Sequence, residues 1–157
     1  AKLLYPGTDL IQHAGITKVR LGPMHKLQKL HDEENHYFGM NQGIHDVIGV
    51  TGACLILSKE RFTEAGGYPE ELAVAFNDVD FCLKVREKGY LVVYNPYAVL
   101  YHYESKSRGY EDTPEKRNRF EKEAFFTYNK WEKILADGDP CYNPNLTLSN
   151  SDFSLRE

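Results

Sequence analysis

Residues 51–109 read TGACLILSKERFTEAGGYPEELAVAFNDVDFCLKVREKGYLVVYNPYAVLYHYESKSRG, and this stretch decides the fold. An apolar run over 46–58 predicts a central buried strand region, interrupted by the small residues Thr51, Gly52 and Ala53. Small side chains are needed where a ligand or another backbone comes close, so this triplet is either the floor of a binding site or a tight bend between strands. Lys59 to Ala65 predicts a short helix, with Ser58 as its cap and Gly66 and Gly67 as its stop. A loop over 68–76 then delivers the chain to a second helix over 78–88, with Gly89 placed for its end. Two strands are expected after it, at 90–94 and 98–103, with Ala98, Leu100 and His102 on one face of the second.

The second helix carries the first chemical candidate. At about 100° per residue, Val79, Phe81, Cys82, Leu83 and Val85 share one broad arc, and Asp78 falls inside it. A carboxylate there must be hydrogen-bonded, paired or put to use. It either charges and caps the helix N-terminus or serves the chemistry of a site. Asp80 is expected on the opposite, solvated face, in a structural i,i+4 pair with Lys84. If helical, Asp78-Val79-Asp80 directs its carboxylates about 200° apart, which does not suit one shared ion. Asp137-Gly138-Asp139 could grip an ion but is also ordinary helix-stop chemistry, and no glycine-rich phosphate loop is found.

Working outward, Leu3-Leu4-Tyr5, the turn Pro6-Gly7-Thr8-Asp9 and Leu10-Ile11-Gln12-His13 predict a hairpin. A hairpin alone is marginally stable, which suggests a sheet that extends further. Residues 15–43 dissolve into a basic, histidine-rich stretch and are expected as a mobile surface loop, either touching an acceptor or simply solvated. Its histidines follow no metal-ligand spacing. Thr113 and Pro114 open the clearest helix, extending to Ala136, with Phe120, Ala124, Tyr128, Trp131 and Leu135 as its core-facing stripe. From Asp137 onward the composition predicts an extended tail that wraps the domain without building its core.

The 157 residues amount to one domain's worth of chain, here divided as 1–136 and the tail 137–157, with a net charge of −4. That charge argues against a nucleic-acid footprint, and no apolar run is long enough to span a bilayer. No signal peptide is evident. Three cysteines, Cys54, Cys82 and Cys141, form no disulfide or zinc pattern, and Cys54 and Cys82 read as buried thiols of a reducing compartment.

The order and spacing of Thr51-Gly52-Ala53-Cys54, Gly66-Gly67-Tyr68, Phe76-Asn77-Asp78-Val79-Asp80-Phe81 and Tyr101-His102-Tyr103-Glu104-Ser105 closely resemble the inverting family 2 glycosyltransferases, most strongly their rhamnosyltransferase-like bacterial branch. Ile11 to Gly15 and Asp139 to Phe153 extend the resemblance to nearly the whole chain. It implies the C-terminal, acceptor-side half of a GT-A-type three-layer α/β/α domain with a mixed sheet, beginning after the nucleotide-binding half. In that family an acidic pair opening the helix supplies the catalytic base. Asn77 replaces its first member, which leaves Asp78 as the base.

A lone histidine is most often a structural residue, but the resemblance further implies that His102 is a metal ligand beside the nucleotide diphosphate. Tyr103 stands where the family motif has a second histidine. Thr51, Gly52, Ala53, Asn77, Ser105, Ser107 and Arg108 are expected to bind substrate; for the last three the other reading is an exposed basic turn. The implied cofactor is a divalent cation, Mg or Mn, held with the nucleotide-sugar donor by an acidic motif outside this chain. The implied partners are that donor and a saccharide or lipid-linked acceptor, in bacterial surface polysaccharide synthesis. The expected location is cytoplasmic, with peripheral association to the inner face of the cell membrane left open. Two other classes stay in view: an inert acceptor-binding or interaction fragment, and a metal-dependent hydrolase using the histidine-rich stretch with Asp78 and Asp80.

Overall fold

A computed structural model describes residues 1–104, 106, 109 and 112–156. Among the described residues the architecture is mixed α/β, with short strands and three α-helices. β1 (Lys2–Leu4) and β2 (Ile11–His13) form the expected hairpin across the Pro6-Gly7 turn, where Gly7 adopts φ +73°. β1 also pairs in parallel with β7 (Val99–Tyr101), giving a mixed sheet in the order β2-β1-β7. β1 and β2 pair antiparallel with an irregularity between Leu3 and Leu4.

Residues 15–43 correct the expectation of a mobile loop. Ile16–Val19 (β3) and Gly22–His25 (β4) form a second hairpin. Lys26, Leu27 and Asn41 are buried behind it. Asn41 ties the remainder together, its amide donating to the carbonyls of Asp32 and Glu34 at 3.0 Å each. The histidines are dispersed by separate partners: His31 faces Asp9 and His36 contacts the His31 carbonyl. Composition alone hid this order because polar side chains here satisfy backbone groups instead of facing water.

The apolar run over 46–58 is also not one strand. Only His45–Asp46 (β5) forms a strand, pairing with Val93–Tyr94 (β6); Gly49 makes an isolated bridge to Ile16, and Val47, Ile48 and Val50 are buried as irregular backbone. Thr51 caps a single 3₁₀ turn over Gly52–Cys54, accepting a hydrogen bond from the Ala53 amide. Beyond it Ile56 is 92% exposed. The strand expected at 90–94 shrinks to β6, and that at 98–103 to β7. His102 lies just past the end of β7, its N–H donated to the Leu4 carbonyl at 3.2 Å.

The helices form where their signals lie. α1 (Lys59–Glu64) is capped by Ser58 and followed by Gly66 and Gly67 at positive φ. α2 spans Asn77–Glu87 and α3 Pro114–Asp137, the latter capped by Thr113. The buried line of α3 runs through Glu123, Thr127, Trp131 and Leu135; Trp131 and Leu135 are as expected, while Glu123 and Thr127 stand where Ala124 and Tyr128 were expected. Phe120 is 42% exposed, and Tyr128 sits on the flank and donates to the Leu21 carbonyl at 2.7 Å.

Two apolar clusters make the core. One gathers Leu4, Ile11, Leu27, Val47 and Tyr94 with Cys82. Tyr142, Leu146 and Phe153 are buried in the same cluster, so the segment after α3 builds core instead of only wrapping it. The other packs Ile16, Ile48, Val79 and Leu83 against Trp131 and Leu135, which seats α3 on α2. Among the described residues no helix is long and apolar enough to cross a membrane.

Candidate functional site

An open cleft of about 570 Å³ lies where the start of α2, the 3₁₀ turn, the end of β7 and the start of α3 converge. Thr51, Gly52, Ala53, Asn77, Asp78 and His102 all line it. Residues up to 51 positions apart in the chain are thus brought to one concave surface, the usual setting of a small-molecule site. Ser105, Ser107 and Arg108 lie outside the described residues.

Asp78 is partly buried at the first turn of α2. Its Oδ2 accepts the Gly52 N–H at 2.8 Å and its Oδ1 accepts the Val79 N–H at 2.8 Å. These bonds fix the carboxylate against the 3₁₀ turn, and the helix N-terminus adds favourable partial charge. The phenol of Tyr68, also on the cleft, is held above its ordinary pKa by burial and then by the negative charge of Asp78. Behind the carboxylate, burial pushes the Cys82 thiol up to about 12 despite its contact with Val50 backbone, so it stays protonated at neutral pH.

Asp80 overturns the expectation of a solvated residue. Its side chain is fully buried. Oδ1 accepts from Lys130 Nζ at 2.6 Å and from Trp131 Nε1 at 2.9 Å, and Lys84 Nζ pairs with Oδ2 at 2.8 Å. The i,i+4 partner is the expected one; α3 covers the arc that helix periodicity assigned to water. Burial raises the Asp80 pKa, but the bonds from Lys130, Lys84 and Trp131 outweigh it and leave the carboxyl below its ordinary value. Asp78 and Asp80 therefore face different surroundings, one a cleft and the other an ion network.

His102 is oriented by Gln12. The Gln12 amide donates to the His102 carbonyl at 3.3 Å, which directs its oxygen to His102 Nδ1 at 2.8 Å. An amide oxygen only accepts, so Nδ1 carries the proton and Nε2 is the ring nitrogen able to ligate a metal. In donor chemistry and tautomer His102 fits a cation as one ligand. Among the described residues no group of three or more His, Cys, Asp or Glu side chains gathers around it.

Several site features carried no earlier assignment. His13, fully buried, accepts the Thr51 N–H on Nε2 at 3.3 Å and stacks edge-on against the cleft residue His25 at 4.8 Å. Burial, then the positive charges of His25, the N-terminus and Lys26, hold its pKa well below 6.5, which keeps Nε2 available as an acceptor. Glu123 of α3 accepts the N–H groups of Val74 and Ala75 at 3.2 and 2.7 Å. It thereby fixes the loop that forms the cleft wall. A Glu at i−4 from Thr127 and i−8 from Trp131 was the available signal, masked by the apolar stripe one residue away.

No family model matches the chain. No solved structure matches it. Over 158 residues it is 47% identical to the uncharacterized protein y4gI of Sinorhizobium fredii, covering 99% of the chain and 17% of that protein. It is 35% identical over 158 residues to the O-antigen biosynthesis protein RfbC of Myxococcus xanthus, covering 99% of the chain and 12% of that protein. A shorter match, 32% over 60 residues, joins 38% of the chain to 20% of the N-acetylglucosaminyl-diphospho-decaprenol L-rhamnosyltransferase of Mycobacterium tuberculosis. The chain thus spans a fifth or less of the length of each of these relatives, and its named relatives point to a glycosyltransferase-like relationship.

Proposed function

We propose that this chain is the acceptor-side part of a nucleotide-sugar-dependent, inverting glycosyltransferase of the family 2, GT-A type, acting in bacterial surface polysaccharide synthesis. The observation that carries the reading is the shared cleft, in which Asp78 is fixed by the Gly52 amide beside Thr51, Ala53, Asn77 and His102. The names of the relatives from Myxococcus and Mycobacterium support it.

Asp78 is the general base. As an acceptor hydroxyl attacks the anomeric carbon, its proton passes to the Asp78 carboxylate, a new C–O bond forms, and the bond to the diphosphate breaks on the opposite face with its electron pair leaving on the diphosphate. Help of this kind is typically worth roughly 10²–10⁴-fold in rate. Thr51, Gly52, Ala53 and Asn77 border the acceptor, and Ser105, Ser107 and Arg108 supply hydroxyls and positive charge to the phosphates. His102 would contribute one nitrogen toward a divalent cation, which would supply charge neutralisation to the leaving diphosphate.

The test is transfer from labelled nucleotide-sugars onto saccharide acceptors by the protein that carries this chain. Asp78→Asn is expected to abolish turnover with donor binding nearly intact. Retention of more than about a tenth of wild-type turnover removes Asp78 from the role.

A further inference from the structure

Phe76 has an unusual backbone for a large side chain. It sits immediately before α2 with φ +61° and ψ +3°, in the left-handed region, and offers no side-chain cap to the helix. Among the described residues it is the only non-glycine lining the cleft that has a positive φ. Such a conformation costs an L-residue free energy and persists where the surroundings enforce it. Here Glu123 enforces it by accepting the two amides just upstream, at Val74 and Ala75. The ring is set against Phe120 of α3, centroids 5.4 Å apart at 42°. Phe120 lies on the cleft and is 42% exposed, although Trp131 and Leu135 further along the same helix are buried in the core.

The cleft lining therefore carries two kinds of group. Phe76 and Phe120 give it a paired apolar surface, while Asn77, Asp78, Gln12 and His25 are polar groups on the same cavity. A lipid chain would leave those polar groups unpartnered, and a small ion would leave the rings bare. A pyranose matches both: its C–H face covers an aromatic ring and its edge is a row of hydroxyls.

We propose that the Phe76–Phe120 pair is the saccharide-binding wall that seats the acceptor's pyranose ring and sets which hydroxyl reaches Asp78. This deepens the transferase reading and rests on it for the hydroxyl's fate, but binding of the sugar ring can be read separately.

Methyl glucopyranoside and methyl rhamnopyranoside are the probes, titrated into this chain by protein-observed NMR with the phenylalanine rings labelled. Saturable shifts at Phe76 and Phe120 are expected. Phe120→Ala, an exposed position that leaves the core in place, is expected to weaken binding about three- to tenfold. Phe76→Gly relieves the left-handed backbone but gives up the ring's packing against the Ile16–Val79 cluster; with its fold verified by its NMR spectrum, it is expected to do the same. In transfer assays Phe120→Ala is expected to raise the acceptor KM with little change in the donor KM. No saturable binding by wild type, or unchanged affinity and acceptor KM in Phe120→Ala, overturns the wall. Glycoside binding that is lost in both phenylalanine variants, with no transfer by any form, sustains the wall and removes the transferase reading instead.

Discussion

The Gly52 amide and the Asp78 carboxylate are joined by a 2.8 Å hydrogen bond that bridges two elements 26 residues apart in sequence. A methyl group at Gly52 would stand 3.5 Å from Asp78 Cβ and 3.8 Å from its Oδ2, ordinary contact distances, and the backbone there is not left-handed. Gly52→Ala should accordingly fold with stability within about 0.5 kcal/mol of wild type by urea unfolding. The methyl narrows the approach to the carboxylate, so transfer should fall by about 10- to 100-fold. Full activity in Gly52→Ala would show that substrate does not approach the carboxylate past Gly52.

Asp80 predicts the opposite profile. Removing its carboxylate strips a common partner from Lys84, Lys130 and Trp131. Because the two lysines keep some contact with water, Asp80→Ala should cost about 2–3 kcal/mol, less than a wholly buried pair. Its folded pKa lies below the ordinary 3.8, so its stabilisation is present above that value and is lost as pH falls below it through the folded pKa. Acid titration of the unfolding free energy should show this loss in wild type and not in Asp80→Asn.

The pair Asp78 and Asp80 also measures how far sequence alone reaches. Helix periodicity located both on α2, and capping signals opened α1 and α3, because those are local effects; α2 begins after Phe76, which offers no side-chain cap. Which face of α2 meets water depends on α3, more than 30 positions on, and no local pattern encodes that Trp131 and Lys130 arrive over Asp80. The site residues at 51–53, 77, 78 and 102 were legible from motif order. Their partners were not, since Gln12, His13 and Glu123 act through single hydrogen bonds to distant backbone. Likewise the strands over 46–58 and 90–94 were overread, because apolar runs signal burial more directly than they signal pairing.

His13 makes stability depend on pH near neutrality. Its folded pKa is held well below 6.5 by burial, by His25, by the N-terminus and by Lys26, so the unfolded chain binds the proton more readily. Stability is then fully present above about 6.5 and declines as pH falls below it toward the folded pKa. Protonation would also remove the Nε2 lone pair that accepts the Thr51 amide. His13→Gln, which keeps an acceptor and does not titrate, should flatten the decline measured between about pH 8 and pH 5. His45, whose pKa is also lowered chiefly by burial, contributes in the same sense and remains in the variant as a smaller slope.

Gly22 and Tyr128 offer a test of the seat of α3 that is independent of chemistry. Gly22 has φ +118°, and a Cβ there would fall 1.6 Å from Tyr128 Oη and 2.8 Å from its Cζ. Gly22→Ala must therefore both strain the backbone and expel the tyrosine, for an expected loss of about 2–4 kcal/mol. Tyr128→Phe alone forfeits the bond to the Leu21 carbonyl, worth about 1 kcal/mol. Combined, the two should cost less than their sum, because the phenylalanine has already removed the atom that alanine would strike. Strict additivity in chemical denaturation would mean that α3 does not press on the β3–β4 turn through this contact.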